Sequence, residues 1–167
     1  MKLLKTTQGT VLDVHVKPNS KEFKIKIEEE ELIVFCRETP IKGIVNKELI
    51  KTLSKFKGKL NGVMHCFSGS REMAEQCVKM DYYISFAGPV TFPNAHKLHE
   101  TAKQIDLNKI LIETDCPWLA PQEMRGKRNE PAFLPFTAEK IANLRGISLA
   151  ELAEATTKNT KQIFHIS

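Results

Sequence analysis

The stretch Gly62-Val63-Met64-His65-Cys66-Phe67-Ser68-Gly69 is matched further along the chain by Ile110-Leu111-Ile112-Glu113-Thr114-Asp115-Cys116-Pro117. In each, a short apolar run ends in a polar residue able to bind a metal, and a turn follows. A barrel of parallel strands delivers ligands to its C-terminal rim in this way. Between them lies a third such unit, Tyr82-Tyr83-Ile84-Ser85-Phe86-Ala87-Gly88-Pro89. Helical patterns separate the three. After Ser70, a good N-cap, the apolar residues Met73, Ala74, Cys77 and Val78 recur at helical spacing, and after Asn94 the residues Ala95, Leu98, Ala102 and Ile105 do the same. Strands alternating with helices of about ten residues imply right-handed crossovers and a parallel sheet. A further helix is expected from about Thr137 to a C′ glycine at Gly146, and Ser148 with Glu151 forms a capping box for the next.

The segments at 64–70 (MHCFSGS), 83–92 (YISFAGPVTF), 111–121 (LIETDCPWLAP), 125–131 (RGKRNEP) and 156–164 (TTKNTKQIF) resemble the C-terminal half of the TatD family of metal-dependent deoxyribonucleases. The resemblance covers about residues 58 to 167. It implies a TIM-like barrel with a one- or two-metal phosphodiesterase site acting on DNA. His65 and Asp115 match metal-ligand positions of that family, and Asp115 would also position or deprotonate the attacking water. Arg125 and Arg128, with Lys127, put three cations into four residues of an expected rim loop. Guanidinium groups pair bidentately with phosphate, so the two arginines are candidate substrate contacts. The plainer reading of the same run is a solvated charge cluster.

The head of the chain differs. Residues 1 to 60 hold 13 Lys+Arg against 8 Asp+Glu, residues 61 to 167 hold 12 against 12, and the net charge of +5 therefore sits in the head. The strict alternation of Phe23-Lys24-Ile25-Lys26-Ile27 signals a half-buried strand, and Leu32 to Cys36 makes an antiparallel partner across a turn at Glu28 to Glu31. Val45, Leu49, Ile50 and Leu53 give an amphipathic helix after Pro40 and Gly43. With VKPNS at 16–20 and ETPIKGIVNKELIKTLSKF at 38–56, this head resembles the YggU-like family of small α+β proteins of unknown function. The expected organisation is a truncated α+β segment over 1–57 and a partial TIM-like (β/α) barrel over 58–167, an α/β fold joined across Lys57-Gly58-Lys59.

A full TIM barrel takes about 250 residues and eight strands, and the tail has room for four at most. The family's other ligands, a His-x-His pair, a Glu and a further His, have no counterpart in the matched segment. Hydrolytic metal sites draw three or more protein ligands and keep one position open. Two ligands predict a divalent cation (Mg, Mn or Zn) that is bound weakly if at all, and little or no nuclease activity in the isolated chain. The alternative is a non-catalytic fusion or truncation product with residual contacts only. Asp13-Val14-His15-Val16-Lys17 faintly echoes an Asp-x-His-x-His strand, but Lys17 stands where the second His belongs, and the plainer reading of His15 is an exposed strand residue.

Taken alone, His65 would be an ordinary buried histidine and Asp115 a turn or helix cap. Glu113 reads equally as an outer-sphere residue or as a partner for a nearby Lys or Arg. His96 and His99 are expected at the surface. The four cysteines, Cys36, Cys66, Cys77 and Cys116, lack Cys-x-x-Cys spacing, which favours reduced thiols over zinc or disulfides. No run approaches the roughly 18 apolar residues of a membrane span, and the N-terminus lacks the apolar stretch of a signal peptide, so a cytoplasmic protein without membrane contact is expected. Open edges on a partial barrel predict self-association.

Overall fold

The computed structural model describes residues 4–6, 9–11, 14–17, 19–28, 31–35, 44–55, 58 and 60–166. It divides into two compact units, Met1–Lys55 and Phe56–Ser167.

In the first unit, β1 (Leu4–Thr6) pairs antiparallel with β2 (Gly9–Val11). A separate sheet holds β3 (Val14–Lys17), β4 (Lys24–Glu28) and β5 (Glu31–Phe35) in the order β3-β5-β4. The alternating Lys-Ile run does form a strand, and it lies antiparallel to β5 with Ile25 opposite Val34 and Ile27 opposite Leu32. β3 runs parallel to β5, and Ile33 and Val34 are buried. The amphipathic helix is α1 (Ile44–Ser54). Asp13, Glu29, Glu30, Cys36, Pro40, Gly43, Lys57 and Lys59, on which parts of the expected head and junction rest, lie outside the described residues.

In the second unit the expected alternation is present. β6 (Gly62–Met64), α2 (Arg71–Lys79), β7 (Tyr82–Phe86), α3 (His96–Gln104), β8 (Ile110–Ile112), α4 (Leu134–Arg145) and α5 (Leu149–Phe164) follow in order. Among the described residues the sheet has three strands, in the order β6-β7-β8, all parallel. All five residues of the central strand β7 are buried, as a parallel strand covered on both faces requires. Its register sets Met64 beside Ile84, Ile84 beside Ile110 and Ser85 beside Leu111. Tyr83 and Leu111 pack with Ile163 of α5, and half-buried Val63 lies against this cluster. Ile84, Phe86 and Ile110, which alternate to the opposite face, are almost wholly buried.

Local chemistry sets the helix ends. The Ser70 hydroxyl accepts from the Met73 amide at the start of α2, and the Ser148–Glu151 capping box opens α5. Gly146 closes α4 at φ +67, a left-handed conformation that costs glycine nothing. α4 begins at Leu134, three residues before the expected Thr137, because Pro135 falls in its first turn, where a fixed φ suits the helix and a missing N–H has no bond to lose. Asn159 of α5 binds this helix to the sheet: its side-chain amide donates to the carbonyls of Leu107 and Ile110, both at 2.8 Å. The carbonyls it satisfies flank the start of β8, the strand that leads to Glu113 and Asp115.

Candidate metal centre

Because β6, β7 and β8 are parallel, their C-terminal ends lie at one edge of the sheet. His65 directly follows β6, Ser85 is the penultimate residue of β7, and Glu113 directly follows β8. Strand alternation continues beyond the last paired residues. It puts His65, Ser85 and Glu113 one step beyond Val63, Tyr83 and Leu111 on the same face. The backbone binds these ends together, with the Phe67 amide donating to the Ser85 carbonyl at 2.9 Å and the Glu113 amide to the Phe86 carbonyl at 3.0 Å.

Glu113 is the hub. Its Oε1 accepts the Cys66 amide at 2.7 Å, and its Oε2 lies 2.9 Å from His65 Nδ1 while also accepting the Ser85 hydroxyl. Cys66 takes φ +44 to present that amide. Of the two readings the sequence left open for Glu113, these partners favour the outer-sphere one over a nearby Lys or Arg. The pattern that would have revealed it is the shared two-residue offset: His65 follows Val63 as Glu113 follows Leu111.

On the far side of the ring, His65 Nε2 lies 3.2 Å from Asp115 Oδ1. A neutral imidazole has one N–H, and a carboxylate oxygen only accepts. With that proton on Nδ1 toward Glu113, the Nε2 lone pair faces an Asp115 oxygen. Two acceptors at this distance repel unless a proton or a metal cation lies between them. His65 remains about two-thirds exposed while the Glu113 side chain is 18% exposed, so Glu113 is sheltered and the imidazole is open to solvent.

The donor set fits a divalent metal. Imidazole nitrogen and carboxylate oxygen each bind such ions at about 2.0–2.2 Å, so two ligands of one ion stand roughly 3 Å apart, as Nε2 and Oδ1 do. A carboxylate on the other ring nitrogen is the usual means of orienting a ligating histidine. Among the described residues, no group of three or more His, Cys, Asp or Glu side chains gathers as a cage. Burial pushes the Cys66 thiol up to about 11, with Glu113 and Asp115 adding to it, so this thiol stays protonated beside the pair.

Asp115 adopts φ +58 at the head of a turn in which its carbonyl accepts the Trp118 amide at 3.0 Å. Buried Asn129 holds that turn: its side-chain amide donates to the carbonyls of Thr114 and Trp118, and its own amide donates to Pro117 O. Asn129 therefore couples the basic loop to the Asp115 segment, a role the sequence reading did not assign. Arg125 and Arg128 are exposed on that loop, with the Arg125 guanidinium 4.7 Å from the centre of the Phe92 ring. No hydrogen bond or ion pair joins either arginine to His65 or Asp115 among the described residues. His15 belongs to the first unit and is exposed.

His99 departs from the expected surface position. It is half-buried, with Nε2 2.9 Å from the Val90 carbonyl, and burial followed by the nearby Lys140 charge holds its imidazolium below the usual range.

Comparison with known proteins follows the same lines. A family model described as TatD related DNase matches residues 29–165, beginning upstream of the motifs at 64–70. The uncharacterized metal-dependent hydrolase YabD of Bacillus subtilis (strain 168) is 41% identical over 162 residues, covering 93% of this chain and 63% of the relative. A protein of Erwinia tasmaniensis named 3'-5' ssDNA/RNA exonuclease TatD is 33% identical over 141 residues, 81% of this chain and 52% of the relative. The crystal structure of YJJV, a TatD homolog from Escherichia coli K12, superposes with a TM-score of 0.69 at 27% identity, covering 81% of this chain and 50% of that one. The chain thus spans about half to two-thirds of the length of these relatives. Matched from residue 29 to residue 165 and aligned with a metal-dependent hydrolase along 93% of its length, the chain belongs to the TatD family.

Proposed function

We propose that the chain carries part of the active site of a metal-dependent phosphodiester hydrolase acting on DNA ends. His65 Nε2 and Asp115 are its metal ligands, and Arg125 and Arg128 are its phosphate contacts. The observation that carries this reading is the 3.2 Å approach of His65 Nε2 to Asp115 Oδ1 with Nδ1 already committed to Glu113. A divalent ion, Mg, Mn or Zn, supplies Lewis acidity toward a phosphoryl oxygen and lowers the pKa of water. Around it, Glu113 fixes the ring and its tautomer, Ser85 and the Cys66 amide hold Glu113, and Asp115 positions or takes the proton of the attacking water. The relative named as a single-strand exonuclease supports a nucleic-acid substrate.

Residues 58–167 are proposed as the C-terminal half of a TIM-like barrel and residues 1–57 as a YggU-like α+β segment. The parallel β6-β7-β8 order and the mixed sheet of the first unit support these two assignments. Among the described residues β6 and β8 stand at the edges of their sheet, which supports self-association. Among the described residues no helix is long and apolar enough to cross a membrane, in keeping with a proposed cytoplasmic location.

The absence of a third gathered ligand among the described residues favours, as a second reading, a chain that binds metal or nucleic acid without chemistry. Digestion of single-stranded DNA with excess Mn²⁺ or Mg²⁺ separates the two. The hydrolase reading expects slow, chelator-sensitive cleavage that Asp115→Asn abolishes. Cleavage that persists in Asp115→Asn rejects it, and no cleavage at any metal concentration favours the second reading.

A further inference from the structure

The turn that follows Asp115 holds a large aromatic ring in water. Trp118 is 71% exposed, the most exposed of the large hydrophobic side chains among the described residues. Its backbone is nonetheless fixed from three directions. The Trp118 amide donates to Asp115 O, its carbonyl accepts the side-chain amide of Asn129, which is 3% exposed, and the next residue, Leu119, packs its carbonyl against Gly88. A Cβ on Gly88 would come within 2.0 Å of that oxygen, so the contact exists only because residue 88 is glycine. A rigid backbone under an unburied indole forgoes the apolar burial that usually fixes tryptophan in place.

The loop tied to this turn is cationic. Asn129 pins Trp118 from one side and is preceded by Arg125-Gly126-Lys127-Arg128, all exposed. Arg125 and Arg128 have no ion-pair partner among the described residues, and the Phe92 ring supports the Arg125 guanidinium. The same Asn129 also binds Thr114 O, next to Asp115. One buried side chain therefore ties the backbone that carries the indole to the basic loop and to the residue beside Asp115. Cations for the backbone together with a stacking ring for the bases form the recognition pattern of unpaired nucleic acid.

We propose that Trp118 is a substrate-positioning residue: an unpaired nucleobase stacks on its indole while Arg125 and Arg128 hold the adjoining phosphates. The assignment rests on the nucleic-acid reading of the site given above and adds to it that the base next to the site must be unpaired. Stacking consumes no metal and makes no bond, so it can be read without turnover.

Trp118 is the chain's only tryptophan, so emission excited beyond the absorption band of the two tyrosines reports on this ring alone. Titration with oligothymidylate in EDTA is expected to quench that emission. Anisotropy of the same labelled oligonucleotide should show about tenfold weaker binding to Trp118→Ala and near recovery in Trp118→Phe. An abasic oligonucleotide of equal length should bind the wild type and Trp118→Ala alike. Oligothymidylate binding with unchanged emission, equal affinity in Trp118→Ala, or equal binding of the abasic strand and its thymidylate counterpart overturns the stacking role and leaves the nucleic-acid reading standing. Failure of the wild type to bind any oligonucleotide overturns both.

Discussion

Glu113 and His65 are 48 residues apart in sequence, yet Glu113 Oε2 lies 2.9 Å from His65 Nδ1. That contact selects which ring nitrogen is left to face Asp115, and the parallel pairing of β6, β7 and β8 brings the two residues together.

Replacing Glu113 with Gln keeps the shape but removes the charge and half of the acceptor capacity that the Cys66 amide, the Ser85 hydroxyl and His65 Nδ1 share. Loss of such an orienting carboxylate weakens metal affinity by about 10- to 100-fold in related arrangements. Calorimetric Mn²⁺ titration of Glu113→Gln should show a loss of that order with the far-UV spectrum retained. Unchanged affinity would mean that Glu113 is structural only.

Asn159→Ala removes a buried amide that donates to the Leu107 and Ile110 carbonyls; Leu107 O keeps the Ile110 amide as a donor, so the loss falls on Ile110 O. A buried acceptor that loses its side-chain donor costs about 1–3 kcal/mol, so a loss of roughly 1–2 kcal/mol is expected in urea unfolding. A change below about 0.5 kcal/mol would show that water replaces the amide without cost.

His99 is held below the usual histidine value of 6.5, first by burial and then by Lys140. The folded state thus binds this proton less readily than the unfolded chain. Its contribution to stability is complete above pH 6.5 and is lost as pH falls through the lowered folded value. The Tm of the wild type should fall between pH 7 and pH 5 more steeply than that of His99→Gln, which can still donate to Val90 O. Parallel curves would refute the assignment.

Burial holds the Cys66 and Cys77 thiols up to about 11, whereas Cys116 is exposed. Alkylation needs both access and thiolate. Peptide mapping after brief iodoacetamide treatment at pH 8 should therefore show Cys116 modified before either of the other two. Early labelling of Cys77 would indicate that α2 opens away from the sheet.

The features legible in the sequence were those with local causes. Ser70, Gly146 and the Ser148–Glu151 pair mark helix ends because a cap is made within four residues, and the apolar runs at Tyr82 and Ile110 mark buried parallel strands. The start of α4 was misplaced because Pro131 and Pro135 both punctuate the segment, and only the fold shows that the second lies inside the helix. His65 and Asp115 stood out by their place after apolar runs. Glu113 was left between two readings, and the roles of Asn129 and His99 were not legible, because each of these two acquires its role from a carbonyl or amide elsewhere in the chain that no spacing rule encodes.

The central claim is that His65 and Asp115 share one cation. Electron paramagnetic resonance of Mn²⁺ titrated into the full chain tests it without requiring turnover. The account predicts weak, saturable loss of the free-ion signal in the wild type, abolished in both His65→Ala and Asp115→Asn and unaffected in His15→Ala. Mn²⁺ uptake that survives both substitutions, or that vanishes in His15→Ala, would contradict it.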